Sequence, residues 1–121
     1  MEQSGAQLNL VVLRCADIEQ AASCYAALGL RFVKHRHGRG PEHYACQEGG
    51  VVFELYPRAA DEQAASGQRI GFRVASLDEA VAAICAAGAE LVSPPKESPW
   101  GMRAVVRDPD GYIVELTAGG G

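Results

Sequence analysis

Two glutamates occupy matching places in the sequence and could act as general bases. Glu54 lies in the segment GVVFEL (residues 50–55), and Glu115 lies in GYIVEL (residues 111–116). Both segments are typical of β-strands, in which alternate side chains share one face. A carboxylate between apolar strand neighbours costs free energy when it is buried without a counter-charge. The two acids therefore mark a candidate site.

Arginines on the first strand of each half could supply that counter-charge. Arg69 is predicted to pair with Glu115 or Glu54, with two parallel hydrogen bonds as a suitable geometry. Arg14 and Arg73 lie on strand faces that alternation assigns to the same site. We therefore predict a network of arginines and glutamates, which could orient an anionic or oxygen-rich ligand. Two readings of the acids remain open: carboxylates that arginines hold in a structural role, or a general base.

Histidines and aromatic residues supply further candidates for ligand contact. His35 and His37 share a predicted strand face, but no cysteine or carboxylate at matching spacing completes a metal site. His43 is placed at the edge of the pocket, where an imidazole could act as an acid or base. Trp100 is either a packing residue or a lid over the cavity, and we favour ligand contact. The predicted catalytic residues are Glu54, Glu115 and Arg69, and the predicted ligand-binding residues are Leu10, Val12, Arg14, His43, Tyr56, Arg73, Trp100 and Arg103.

An internal repeat must position these residues. Residues Leu10–Val33 align without a gap with Arg69–Val92, so that Leu10 matches Arg69. The later segments, with Glu54 and Glu115, match at a spacing two residues longer, which places the length difference in a hairpin, where such changes are tolerated. The sequence therefore contains two copies of one unit.

Each copy predicts a strand, a helix and three further strands. The helices begin with capping patterns, Asp17 with Gln20 and Ser76 with Glu79, and they end at Gly29 and Gly88. The later strands are predicted at Arg31–His37, His43–Gln47 and Val51–Tyr56 in the first copy, and at Glu90–Val92, Ala104–Arg107 and Tyr112–Thr117 in the second.

This pattern predicts an α+β fold of paired βαβββ modules that form a cupped, eight-stranded mixed sheet around a cavity. The first module spans residues 8–57, an alanine-rich linker spans 58–68, and the second module spans 69–118. One module alone buries too little surface to be stable, so the two must pack together, within one chain or across a dimer. A concave apolar surface is the usual place for a small-molecule ligand.

The sequence resembles the vicinal oxygen chelate superfamily, which includes glyoxalase I, bleomycin-resistance proteins and extradiol dioxygenases. The resemblance covers nearly the whole chain and is carried by DPDGYIVEL (Asp108–Leu116), VLRCADIEQAASCYAALGL (Val12–Leu30) and VVFELY (Val51–Tyr56). It implies a metal held by a His or Gln on each first strand and a Glu on each last strand. Glu54 and Glu115 match the last-strand positions. The first-strand positions are Leu10 and Arg69, which cannot serve as such ligands.

Because Leu10 and Arg69 depart from the family pattern, we predict no tightly bound catalytic transition metal, and the departure puts glyoxalase I activity in doubt. No cofactor is expected, and weak binding of a divalent metal stays open. The resemblance also implies a homodimer.

Composition excludes several other classes of function. The formal net charge is -4 and the basic residues are scattered, so no nucleic-acid partner is expected. No apolar stretch has the length of a membrane span, and the first residues do not form a secretory signal. The four cysteines show no CxxC spacing, which favours free thiols and a cytoplasmic location.

Three functions agree with these features. The first is a glyoxalase-like protein that binds a small molecule without a catalytic transition metal. The second is a lyase or isomerase in which Glu54 or Glu115 removes a proton next to a carbonyl and Arg69 stabilises the enolate-like intermediate. The third is a resistance protein that sequesters an antibiotic, for which an acidic cleft suits cationic drugs.

Overall fold

The computed structural model describes residues 5–63 and 67–119, and it shows the predicted α+β repeat. The first unit contains β1 (Leu10–Cys15), α1 (Ile18–Ala26), β2 (Val33–His35), β3 (His43–Glu48) and β4 (Val51–Pro57). The second contains β5 (Arg69–Arg73), α2 (Leu77–Ala86), β6 (Glu90–Ser98), β7 (Gly101–Arg107) and β8 (Ile113–Ala118). The eight strands form two four-stranded mixed sheets of equivalent order, β1-β4-β3-β2 and β5-β8-β7-β6. Neither helix has the length and apolar character needed to cross a membrane.

Both helices begin where the sequence predicts, whereas α1 ends at Ala26, before the predicted Gly29. The Asp17 carboxylate accepts hydrogen bonds from the backbone N–H groups of Glu19 and Gln20 at 2.9 and 3.2 Å. The Ser76 hydroxyl accepts one from Glu79 at 3.4 Å. These contacts satisfy N–H groups that have no partner within the helix. After each helix, Gly29 and Gly88 adopt φ of 96° and 121°, a conformation that favours glycine.

Alternation along the strands separates a core face from a second face in each sheet. Phe53 and Leu55 on β4 are buried with the helices, and Val114 and Leu116 on β8 are their equivalents. Residues of opposite parity lie on the other side, which we call the open face of each sheet. The open face of the first sheet carries the paired residues Val12 and Glu54. The open face of the second carries Gly71 paired with Glu115.

The turn between β7 and β8, residues 108–112, joins the two modules, and we call it the bridging turn. Its Asp108 carboxylate accepts hydrogen bonds from the backbone N–H groups of Asp110 and Tyr112, both at 2.9 Å. The same carboxylate accepts a 2.6 Å bond from the hydroxyl of Tyr25 in α1. Asp110 also accepts a 2.7 Å bond from the Ala16 backbone. The bridging turn therefore attaches the second module to the first helix.

Tyr25 extends this attachment into the core. The side chain is fully buried, and its ring lies edge-on to Phe53 at 5.2 Å and tilted against Phe72 at 6.0 Å. Burial is the largest cause that raises the pKa of the Tyr25 hydroxyl, and the neighbouring Asp108 carboxylate adds to it. Burial likewise raises the pKa of Asp108, while its three hydrogen bonds oppose that shift. The two modules thus share one core and one buried polar contact.

Three strand predictions were wrong in their bounds. The strand predicted at Arg31–His37 is confined to Val33–His35. The strand predicted to end at Val92 continues to Ser98 through Pro94 and Pro95, with irregular pairing against β7. Proline is tolerated there because β6 is an edge strand, where a missing N–H faces no partner strand.

The third difference is the earlier start of β7, at Gly101, which leaves Pro99 and Trp100 as a tight hairpin tip. The Ser98 hydroxyl closes this turn by donating to the Gly101 carbonyl oxygen at 2.6 Å. Gly101 is required here because its φ is 103° and a Cβ would lie 2.8 Å from the Ala118 carbonyl oxygen.

Candidate functional site

Two arginines hold Glu115 on the open face of the second sheet. Arg103 Nε donates to Glu115 Oε1 at 3.1 Å, and the Arg69 guanidinium forms an ion pair with Oε2. The hydrogen bond from Arg103 is the largest cause that lowers the pKa of Glu115, and Arg69 lowers it further. Of the two predicted partners of Arg69, the structure shows Glu115. A carboxylate held in this way is a weak proton acceptor.

Glu54 has the equivalent position in the first sheet but not the equivalent partners. Its side chain is half-buried, between Val12 on β1 and Ala45 on β3. Among residues 5–63 and 67–119, no ion pair or side-chain hydrogen bond to Glu54 is present. At the position equivalent to Arg69, the first module has Leu10. At the position equivalent to Arg103 it has His43, because Ala45 pairs with Glu54 as Val105 pairs with Glu115.

His43 is more deeply buried than a pocket-edge residue would be, at 1% exposure. Its ring stacks on Tyr56, with centroids 4.1 Å apart and planes 7° apart. The rings of His37 and His35 lie 5.2 and 5.9 Å away. His43 Nδ1 lies 3.3 Å from the Pro41 carbonyl oxygen, which assigns the ring proton to Nδ1. Nε2 is buried, and it has no partner among the described residues.

The remaining predicted arginines do not complete a network around both acids. Arg14 forms an ion pair with Glu62 of the linker at 3.1 Å, so its charge is directed to neither glutamate. The hydroxyl of Tyr112, from the bridging turn, also bonds to the Arg14 backbone. Arg73 lies on the open face, paired in register with Thr117. Of the predicted network, the structure shows the contacts of Arg69 and Arg103 with Glu115.

A cavity of about 580 Å³ lies where the first strands of the two modules meet. Apolar side chains of both modules line it, among them Val11, Phe53, Ile70 and Phe72. Of the residues predicted for the site, Val12 and Arg69 reach this cavity, while both glutamates lie outside its lining.

Several predicted ligand contacts are accessible from outside. Leu10 is 50% exposed on the open face of the first sheet, and Trp100 is 67% exposed at the hairpin tip. Trp100 therefore does not pack into the core of this chain, which disfavours the packing alternative.

The residues present do not fit the four-ligand metal site of metal-dependent relatives. Leu10 offers no donor atom, and Arg69 places a cation on Glu115, where a metal ion would need the carboxylate. In the described part of the chain, no three histidine, cysteine, aspartate or glutamate side chains are arranged to hold a metal ion. We therefore assign no step of any mechanism to a metal ion.

Two buried cysteines, Cys15 and Cys24, do not offer a nucleophile at neutral pH. All four cysteines are free, and burial raises the pKa of Cys15 to about 12 and that of Cys24 to about 11. Such thiols stay protonated at neutral pH and behave as small apolar residues.

Comparison with known proteins identifies the class to which this fold belongs. The family model of the Glyoxalase/Bleomycin resistance protein/Dioxygenase superfamily matches residues 7–116. The chain therefore belongs to this superfamily.

Three proteins similar to this chain give the extent of the likeness. An uncharacterized protein of Mycolicibacterium smegmatis is 28% identical over 105 residues, 87% of each chain. A glyoxalase-related enzyme from Fulvimarina pelagi has a TM-score of 0.74 at 23% identity, covering 93% of this chain and 88% of that one. TnmS3, an antibiotic binding protein from Streptomyces sp. CB03234, has a TM-score of 0.73 at 21% identity, covering 97% and 98%.

Proposed function

We propose that this protein binds a small organic molecule on the open faces of its sheets, without a catalytic transition metal. The proposal rests on the replacement of two family ligand positions by Leu10 and Arg69, with the ion pair between Arg69 and Glu115. Leucine removes a donor, and the guanidinium occupies a carboxylate that a metal ion would use. The fold is shared with an antibiotic binding protein, so antibiotics are one class of ligand to screen.

Metal analysis and ligand screening of the untagged protein test this proposal. We expect elemental analysis to find zinc, nickel, iron and manganese far below one equivalent, and we expect chelator treatment to leave thermal unfolding unchanged. We also expect some ligands in an antibiotic and metabolite panel to raise the melting temperature, since a ligand at about 100 times its Kd adds about 2.7 kcal/mol. One equivalent of a transition metal lost on chelation, together with a lower melting temperature, would contradict the proposal.

A second candidate function is proton abstraction next to a carbonyl, with Glu54 as the base. The observation that favours Glu54 over Glu115 is that arginines hold only Glu115, which lowers the pKa of that carboxyl. Glu54 would take a proton from carbon, leaving an enolate, and return it to the same or a neighbouring carbon. Arg69, the predicted enolate stabiliser, is partly neutralised by Glu115.

Exchange of substrate protons in D₂O, followed by NMR on a panel of carbonyl compounds, measures this reaction directly. For a compound that exchanges, we expect Glu54→Gln to slow the reaction about 100-fold, the lower range for loss of a general base. Glu115→Gln is expected to retain most of the rate. Equal rates in the wild type and in both variants would eliminate this mechanism.

A further inference from the structure

The cavity of about 580 Å³ lies between two strand edges that do not pair with each other. β1 and β5 are each the edge strand of their sheet, and we call the gap between them the seam. Within residues 5–63 and 67–119, no backbone hydrogen bond joins β1 to β5. At one point a side chain takes the place of a neighbouring strand, because the Tyr112 hydroxyl accepts from the Arg14 N–H at 3.1 Å and donates to the Arg14 carbonyl oxygen at 3.0 Å.

Alternation along each strand gives the direction of the other backbone groups. The Asn9 carbonyl oxygen accepts a hydrogen bond from β4, so Val12, of the opposite parity, directs its N–H and C=O groups to the seam. The Gln68 carbonyl oxygen accepts one from β8, so Gly71 likewise directs its groups to the seam. In the described part of the chain, neither Val12 nor Gly71 has a hydrogen bond on that side. Such groups at a strand edge can pair with an added strand or ligand.

The cavity at the seam has an apolar, aromatic inner wall. Phe53 and Phe72, one from each module, both line it, with ring centroids 5.9 Å apart and planes tilted by 54°. Phe53 is 4% exposed, so this wall is deep, whereas the charged lining residues Arg69 and Glu48 are exposed at the rim. Aromatic rings attract other rings in offset or edge-to-face arrangements. The lining therefore favours a ligand with a flat aromatic body.

A glycine leaves space for such a ligand beside the strand edge. The repeat matches Gly71 with Val12, so the second module has no side chain where the first has a branched one. A Cβ at Gly71 would meet one described atom within 4 Å outside its own stretch of chain, the Glu115 carbonyl oxygen at 3.8 Å. The φ of Gly71 lies outside the left-handed region, so the backbone does not require glycine here. What glycine provides is open space next to unpaired backbone groups.

We propose that this cavity binds an uncharged planar aromatic molecule that carries a hydrogen-bond donor next to an acceptor, as a cyclic amide does. The ring lies against Phe53 and Phe72, and the donor and acceptor pair with the C=O and N–H groups of Gly71 as an added strand would. A charged group is disfavoured because it would lose its hydration against the apolar inner wall. This site goes beyond the proposed function, since neither glutamate of the open faces lines the cavity.

Two matched probes test the hydrogen bonds and the aromatic contact. 2-Quinolinone and N-methyl-2-quinolinone are titrated into the ¹⁵N-labelled full chain, and amide chemical shifts are followed by NMR. We expect 2-quinolinone to bind at least about tenfold more tightly, because the methyl group removes the donor and leaves the Gly71 carbonyl oxygen without a partner. We also expect the Gly71 amide proton to move downfield, and nuclear Overhauser contacts to join the probe to Phe53 and Phe72.

Variants then test whether the cavity is the site. Gly71→Val adds a branched side chain at the cavity wall, and we expect it to weaken 2-quinolinone at least about tenfold without lowering the melting temperature. Phe72→Leu keeps an apolar side chain but removes one ring, and a several-fold loss is expected. Ala82→Val, which adds apolar bulk on the exposed side of α2, is the control and is expected to leave binding unchanged.

Each other outcome overturns the inference. Equal binding of the two probes would mean that the backbone of Gly71 takes no part in recognition. Shifts centred on the open faces around the glutamates would reject this site and leave the proposed function intact. No binding of either probe at millimolar concentration, or unchanged binding in Gly71→Val, would reject the ligand class or the cavity. If Gly71→Val changes the molecular mass found by light scattering, the seam is an interface between copies of the chain instead.

Discussion

Asp108→Ala is expected to lower the free energy of unfolding by about 4 kcal/mol, a factor of about 1,000 in the folding equilibrium. The alanine leaves the buried Tyr25 hydroxyl and two backbone N–H groups of the bridging turn without their acceptor. Each buried group that loses its partner costs about 1–3 kcal/mol. The substitution removes the hydrogen bond between α1 and the second module but leaves their shared core in place, so we expect one cooperative transition at lower denaturant concentration. Urea unfolding followed by circular dichroism measures it.

Two controls separate this effect from a general loss of charge. Asp108→Asn retains an oxygen for the backbone donors and an amide that can donate to Tyr25, so a loss of about 1 kcal/mol or less is expected. Asp61→Ala removes a carboxylate from an exposed part of the linker and is expected to stay within about 0.5 kcal/mol of wild type. A loss below about 1.5 kcal/mol in Asp108→Ala would mean that water replaces the carboxylate.

The double variant Leu10→His/Arg69→His is expected to gain a transition-metal site. It places imidazoles at the two positions where the family resemblance implies His or Gln, and it removes the guanidinium that pairs with Glu115. Two imidazoles and two carboxylates suit zinc or nickel, whereas two carboxylates alone bind such ions weakly. We expect nickel affinity to rise about 1,000-fold over wild type, since two imidazole ligands are added. Calorimetric titration of the chelator-treated protein measures it.

The single variants are the controls for this gain. Leu10→His retains the cation on Glu115, and Arg69→His lacks the second imidazole, so each is expected to bind nickel far more weakly than the double variant. Light scattering with and without nickel then tells whether the four ligands meet within one chain or across two copies. If the double variant binds no better than wild type, the four positions do not surround a common point.

Much of the fold follows from local patterns that the sequence displays directly. Capping residues and terminal glycines predict both helices, and the repeat predicts two equivalent sheets. The course of β6 through Pro94 and Pro95 could not be predicted from local preference, because proline in a strand is acceptable only where sheet order makes the strand an edge. That information exists only after the sheet is assembled.

The candidate site was predictable to a smaller extent. Strand parity correctly places Glu54 with Tyr56 and leaves Phe53 to the core. The pairing of Arg103 with Glu115 depends on the register of the β7–β8 hairpin, and the predicted strand Ala104–Arg107 begins after Arg103. The burial of His43 depends on three other rings that pack against it, which no pattern along the chain encodes.

The bridging turn shows a different limit. Its DPDG sequence predicts a turn, but its contacts with Tyr25 and Ala16 come from residues far away in the chain. Along the sequence the motif indicates a turn and a family resemblance, but not a contact between the modules. A buried Asp–Tyr pair becomes visible only when both modules are packed.

The arginine pair on Glu115 gives the protein a positive charge that does not depend on the supply of metal ions in the cell. A guanidinium is part of the polypeptide, so it arrives with translation and cannot be stripped by a chelator, exchanged for a competing ion or lost during starvation for trace elements. On this half of the molecule, the local positive potential is therefore the same in every copy, whatever the nutrient status of its surroundings.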